Sequence, residues 1–150
     1  MKDVYFDLLK ETKINEYIFS NIIKNYCKIN DINANTNQIF ILHLLIKEHN
    51  GACQVICIED EMSYISPNQL YNIERLIRDG YITRKRGKEV NQDGRCRFIF
   101  ATDKGLKLYS DICDYVRDKV KKFEQIINWD FERFDRYLED SRTLHYMGSR

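Results

Sequence analysis

The chain has 150 residues, enough for one domain, or a small domain with extensions, that buries a real core. Hydrophobic residues make up 43% of it, with one proline and six glycines, which argues against disorder and against a turn-rich all-β fold. The net charge is +1, no apolar run reaches membrane-spanning length and no signal-peptide pattern opens the chain, so a cytoplasmic protein without a membrane partner is expected.

Asp3 to Ile29 reads as one or two helices, because Leu8, Leu9, Ile14, Tyr17, Ile18, Ile22 and Tyr26 form a stripe at 3.6-residue spacing. Asn30 to Asn37 is a polar loop, with Thr36 the expected cap of a second helix. Ile39, Phe40, Leu42, Leu44, Leu45 and Ile46 make that helix apolar nearly all round, as suits the centre of a core. Asn50-Gly51 ends it. Gln54 to Ile58 predicts a brief β-branched strand, and Glu59 to Met62 a third, short helix.

Ser66 then reads as an N-cap, with Pro67 suited to the first helical position. Leu70, Ile73, Leu76 and Ile77 form the apolar face of this fourth helix; Asn68, Gln69, Tyr71, Asn72 and Arg75 fall largely off it. Asp79-Gly80 stops it. Tyr81 to Thr83 and Arg97 to Ala101 predict a strand pair, with a turn at Asp93-Gly94 between them. Asp103 is the expected cap of a long helix reaching about Asn128, striped by Leu106, Tyr109, Cys113, Val116, Val120, Phe123 and Ile127. Phe131, Phe134, Tyr137 and Leu138 mark a last short helix, and the tail from Asp140 has no clear pattern.

Charge is concentrated rather than abundant. From Arg75 to Arg97 stand Arg75, Arg78, Arg84, Lys85, Arg86, Lys88, Arg95 and Arg97, against only Asp79, Glu89 and Asp93, a local net of +5. Such a segment can neutralise phosphates and release counterions. The five cysteines (Cys27, Cys53, Cys57, Cys96 and Cys113) are odd in number and form no Cys-x-x-Cys pair, so reduced thiols are expected rather than a disulfide framework. Cys53 and Cys57, with His43 and His49 upstream, do not follow a zinc spacing, and no cofactor is expected. No Gly-rich phosphate loop, metalloprotease helix or nucleophile elbow occurs, so catalysis is not expected.

A polar-faced helix followed by a basic hairpin is the arrangement by which a winged helix-turn-helix meets a duplex. The element order, Glu74-Arg75-Leu76 with Gly80-Tyr81-Ile82, then Asp93, Arg95 and Arg97, and finally Thr102-Asp103-Lys104-Gly105, resemble the MarR family of bacterial transcription regulators. Counting back from Gly80, Gln69 holds a position that family usually fills with an apolar residue, and Leu70 stands one place late. The resemblance implies a mainly α winged helix with a small β-wing. It implies a DNA-binding core at about 36–102, flanked by dimerisation helices at about 3–30 and 103–140. It further implies a homodimer reading a palindromic operator, usually as a repressor, with wing residues along the minor groove, and a small-molecule effector.

The chemistry fits duplex DNA on its own terms. Asn and Gln pair bidentately with adenine and Arg with guanine, and Ser66, Asn68, Gln69, Tyr71, Asn72 and Arg75 stand on or beside the fourth helix. Arg84, Lys85, Arg86 and Lys88 suit phosphates, while Arg95 and Arg97 suit a narrow minor groove. The competing reading is a winged helix used for protein contacts or within a replication-associated module, since fold does not dictate function.

Overall fold

The computed structural model describes residues 4–90, 93–127 and Arg136. The chain divides into two compact units, Met1–Val116 and Arg117–Arg150. Helix α1 (Val4–Ile29) is followed by α2 (Thr36–His43), β1 (Ala52–Gln54), α3 (Val55–Met62), α4 (Gln69–Arg78), β2 (Ile82–Arg86), β3 (Arg97–Ala101) and α5 (Asp103–Ile127). The protein is thus mainly helical with one small sheet, as the sequence predicts. The expected helix at Phe131–Leu138 and the tail from Asp140 lie outside the described residues. In the second unit, α5 runs on to Ile127 and carries an Asp118–Lys122 ion pair at 3.4 Å.

The sheet is antiparallel with order β1-β3-β2, and Ile99 of β3 stands between Cys53 and Arg84. Ile99 is inward, where Ile41, Leu42, Leu45, Ile58, Met62, Ile73, Leu76 and Ile82 join it in one buried cluster. Burying each side chain of this size contributes about 1.5–3 kcal/mol, which is what holds helices and sheet together.

Several local expectations are corrected. Asn35, not Thr36, caps α2: its Oδ1 accepts from the Gln38 amide at 2.9 Å while Gln38 Oε1 accepts from the Asn35 amide at 3.0 Å. This reciprocal box satisfies two donors at once, and the Thr36 hydroxyl instead meets that of Ser20 at 2.9 Å. Phe40 is exposed, so the α2 surface is not apolar core all round. Beyond α2 the chain runs on as one wide turn over Leu44–Glu48, where His49 N–H reaches the Leu44 carbonyl at 3.1 Å. Asn50 and Gly51 then adopt positive φ of 54° and 92° and end the segment as expected.

The strand expected at Gln54–Ile58 lies earlier, at Ala52–Gln54, and Val55–Ile58 begins α3. Val55, Ile58 and Met62 fall on one helical face and are buried there, so packing overrides β-propensity. On α5 the inward residues are Leu108, Tyr109 and Ile112, with Cys113 and Val116 against them, whereas Leu106 points outward. Phe123 and Ile127 carry no described side chains.

Candidate nucleic-acid interface

Helix α4 starts three residues later than Ser66. Ser66 is buried and its hydroxyl accepts from the Asn68 amide at 3.3 Å, so it organises the turn before the helix rather than capping it. Pro67 lies in that turn and Asn68 is the N-cap, without a side-chain cap bond. The Gln69 carboxamide folds back, its nitrogen donating to the carbonyls of Ser66 and Pro67 at 2.5 and 3.2 Å. The inward stripe is therefore Gln69, Asn72, Ile73 and Leu76, an i, i+3, i+4, i+7 pattern. Leu70 is turned outward and is 55% exposed, which is the physical form of the one-place shift seen in the sequence.

Asn72 is only 3% exposed, and its Oδ1 accepts from Asn35 Nδ2 at 3.1 Å. It locks α4 to the cap of α2 and is unavailable to a groove. That corrects the expectation that Asn72 faces a duplex. The outer face of α4 carries Leu70, Tyr71, Glu74, Arg75 and Arg78. Arg75 donates to the Tyr71 hydroxyl at 3.2 Å and lies over its ring at 5.8 Å, rather than pairing with Asp79. Asp79 faces Arg78 instead, at 3.5 Å.

At its C-terminus α4 closes as the sequence anticipates. Gly80, with φ of 80°, donates to Ile77 and Tyr81 donates to Leu76, the two bonds of a Schellman end. The start of α5 is fastened to this point. Thr102, not Asp103, is the cap: its Oγ1 accepts from the Gly105 amide at 3.1 Å and donates to the Gly80 carbonyl at 2.6 Å. Lys104 donates to the Asp79 carbonyl at 2.7 Å and its ammonium lies 4.6 Å from the Tyr81 ring centre. A Cβ at Gly105 would overlap the Tyr81 carbonyl, so only glycine lets the two backbones meet. The Thr-x-Lys-Gly sequence is thus a staple that fixes the end of α4 against the start of α5.

The wing is built differently. β2 and β3 lead into a 3-10 turn at Gly87–Val90, and Gly87 N–H reaches the Cys96 carbonyl at 2.7 Å. The Asp93 carboxylate accepts the Arg95 amide at 3.0 Å and shapes the expected turn. Arg95 extends from it with its side chain 95% exposed, its nearest anion being Asp93 at 3.7 Å. Arg86 and Arg97 are directly opposed across the β2–β3 ladder, both exposed and therefore on one face. Lys88 is exposed; Lys85 lies over the Phe100 ring at 5.3 Å; Arg84 is ion-paired with Glu74, tying wing to α4. The start of α3, the outer face of α4 and the wing enclose an open concavity of about 570 Å³.

Two histidines are engaged within the protein. His43 Nδ1 is 2.7 Å from the Tyr109 hydroxyl, and His49 Nε2 is 2.7 Å from Glu61. Burial, aided by Cys57 and Glu61, pushes the Cys53 thiol up to about 12. All five cysteines are free. Among the described residues, no cluster of three or more His, Cys, Asp or Glu is placed to hold a metal, and no helix is long and apolar enough to cross a membrane.

No protein-family model and no curated protein matches this sequence. Solved structures do match the fold. A MarR transcriptional regulator from Methanosarcina mazei Go1 superposes with a TM-score of 0.67 at 18% identity, covering 99% of this chain and 92% of that one. Reduced AbfR bound to DNA gives 0.64 at 20% identity, covering 98% and 99%. NadR in complex with 4-hydroxyphenylacetate gives 0.65 at 20% identity, covering 96% and 93%. The chain therefore has the fold of MarR-type regulators, the architecture that its own motifs resemble.

Proposed function

We propose that this protein is a sequence-specific, double-stranded-DNA-binding transcription regulator, acting as a cytoplasmic homodimeric repressor on a palindromic operator. The observation that carries the reading is the opposition of Arg86 and Arg97 across the wing, with Arg95 exposed beyond them. Like charges facing each other on a strand pair destabilise it, by up to about 1 kcal/mol. Such a pair makes sense where polyanion supplies the missing counter-charge. Lys88 extends the same positive surface toward phosphates and Lys85 meets them from the other face of β2, beside Phe100, while Arg95 and Arg97 enter the minor groove. Asn68, Tyr71 and Arg75 are the base-facing or backbone-facing set on α4, Gln69 is folded back onto the Ser66 and Pro67 carbonyls, and Arg84 acts through Glu74. The reading carries no catalytic step.

Dimerisation is supported by the outer face of α1, where Val4, Phe6, Leu9, Ile14 and Tyr17 are exposed. Two-fold operators are read by two-fold proteins. A small-molecule effector is part of the proposal by analogy with ligand-bound NadR.

The test is fluorescence anisotropy on random-sequence duplex, titrated with salt, for the wild type and Arg95→Ala, alongside sedimentation to establish the dimer. Binding with a steep salt slope is expected, and losing one arginine should lower that slope by about 1. A folded, dimeric protein that ignores duplex at low salt would replace this reading by a protein-contact role.

A further inference from the structure

The outward rotation of Leu70 has a chemical consequence. Leu70 is 55% exposed in the first turn of α4, and Ile56, at the start of α3, is 52% exposed. Both line the concavity that also holds Arg84, Arg95 and Arg97. Glu59 and Glu74 lie there too, and Glu74 is taken up by Arg84. The concavity therefore has an apolar floor and a cationic rim contributed by the wing. Its first-turn location on α4 is the part of such a helix that approaches base edges.

From this juxtaposition we propose that Leu70 and Ile56 form a receptor for thymine C5-methyl groups, so that the preferred duplex is A·T-rich and read in the major groove by apolar contact. The inference rests on the duplex-binding reading and names what that site selects. Thymine is the base that presents a methyl in the major groove, and an apolar side chain gains there what a polar one would lose. The charge around the floor favours nucleic acid over an apolar protein segment, because three arginines, Arg84, Arg95 and Arg97, outnumber Glu59 and Glu74 there. The inward-turned Gln69 and Asn72 leave fewer amides to read adenine edges, which shifts discrimination onto the methyls.

The experiment compares a 24-base-pair alternating dA-dT duplex with its dA-dU counterpart, for wild type and Leu70→Ser. The two duplexes have equal charge and the same hydrogen-bonding edges and differ only in the methyl groups. Wild type should bind the methylated duplex more tightly, by about fourfold for each methyl contacted, the factor for burying one such carbon. Leu70→Ser should lose most of that preference while keeping its salt slope; Leu70 is exposed, and circular dichroism checks the fold. Equal binding of both duplexes by wild type overturns the methyl receptor and leaves duplex binding standing. A preference that persists in Leu70→Ser and in the double variant Leu70→Ser/Ile56→Ser assigns it to duplex stiffness and also overturns the proposal. Absence of binding to either duplex at low salt sinks both readings and makes the patch a protein-docking face.

Discussion

The staple at Asp79–Gly105 and the wing at Ile82–Ala101 are adjacent in the chain and use charged and polar residues to opposite ends. In the staple Thr102 and Lys104 are both taken up by backbone: Thr102 bridges Gly105 to Gly80, and Lys104 holds the Asp79 carbonyl. In the wing, Arg86 faces Arg97 and Arg95 projects into solvent. A polar residue with matched partners maintains the fold, whereas a cluster of like charges held together by the fold is directed at something outside it. Lys104 and Arg97 look equivalent in a composition count. Their surroundings assign them different work.

The largest break in this comparison is expected at Gly105. Gly105→Ala must push the start of α5 off the Tyr81 carbonyl and should cost about 3 kcal/mol, read as a lower urea midpoint with unchanged slope. Gly80→Ala is the control: it strains a positive φ but has room for its Cβ, with Lys104 side-chain atoms at 3.8 Å or beyond, so about 1 kcal/mol is expected. Equal losses would show that the close backbone approach is not what the motif protects.

Alkali should attack the packed side and spare the wing. Burial raises both the Cys53 thiol, from 9.0 to about 12, and the Tyr81 phenol, the latter helped by Asp79. Above pH 9 the unfolded chain releases protons that the folded chain retains. Stability is then complete below pH 9 and falls as pH rises toward 12. Urea midpoints measured across that range should decline, and less steeply in Cys53→Ala, while the arginines keep their charge.

Asn72→Ala sharpens the boundary between fold and interface. It leaves Asn35 without its partner and should cost about 1–2 kcal/mol, with duplex affinity unchanged once the protein is folded. A loss of affinity at full stability would instead put Asn72 at a base edge. The smallest effect has the most telling sign. Arg97→Ala relieves the opposition with Arg86 and should raise stability by up to about 1 kcal/mol while weakening DNA binding. Thermal melting and anisotropy should therefore move in opposite directions.

Much of this architecture is legible in the residues. Asp79-Gly80 announces a helix stop, the Arg/Lys-rich stretch a basic hairpin, and Thr102 to Gly105 a helix start, because capping and turn chemistry are local. The face of α4 is not. A stripe through Leu70, Ile73, Leu76 and Ile77 and one through Gln69, Asn72, Ile73 and Leu76 are both acceptable helices. The choice depends on Asn35, 37 residues away, meeting Asn72 beneath the helix. Likewise, Val55 to Ile58 has strand composition and becomes helix because one side of it is covered by the core.

The amino-acid sequence by itself determined the order of elements, their stops, the concentration of positive charge and the glycine at the α4–α5 junction. Each follows from short-range sterics, hydrogen bonding or simple proximity along the chain. Tertiary structure alone decided which polar side chains of α4 are interior, which apolar ones look outward, and which arginines pair and which face their own kind. Those outcomes depend on partners distant in sequence. Burial and counter-charge are properties of assembled surfaces, and no local pattern encodes them.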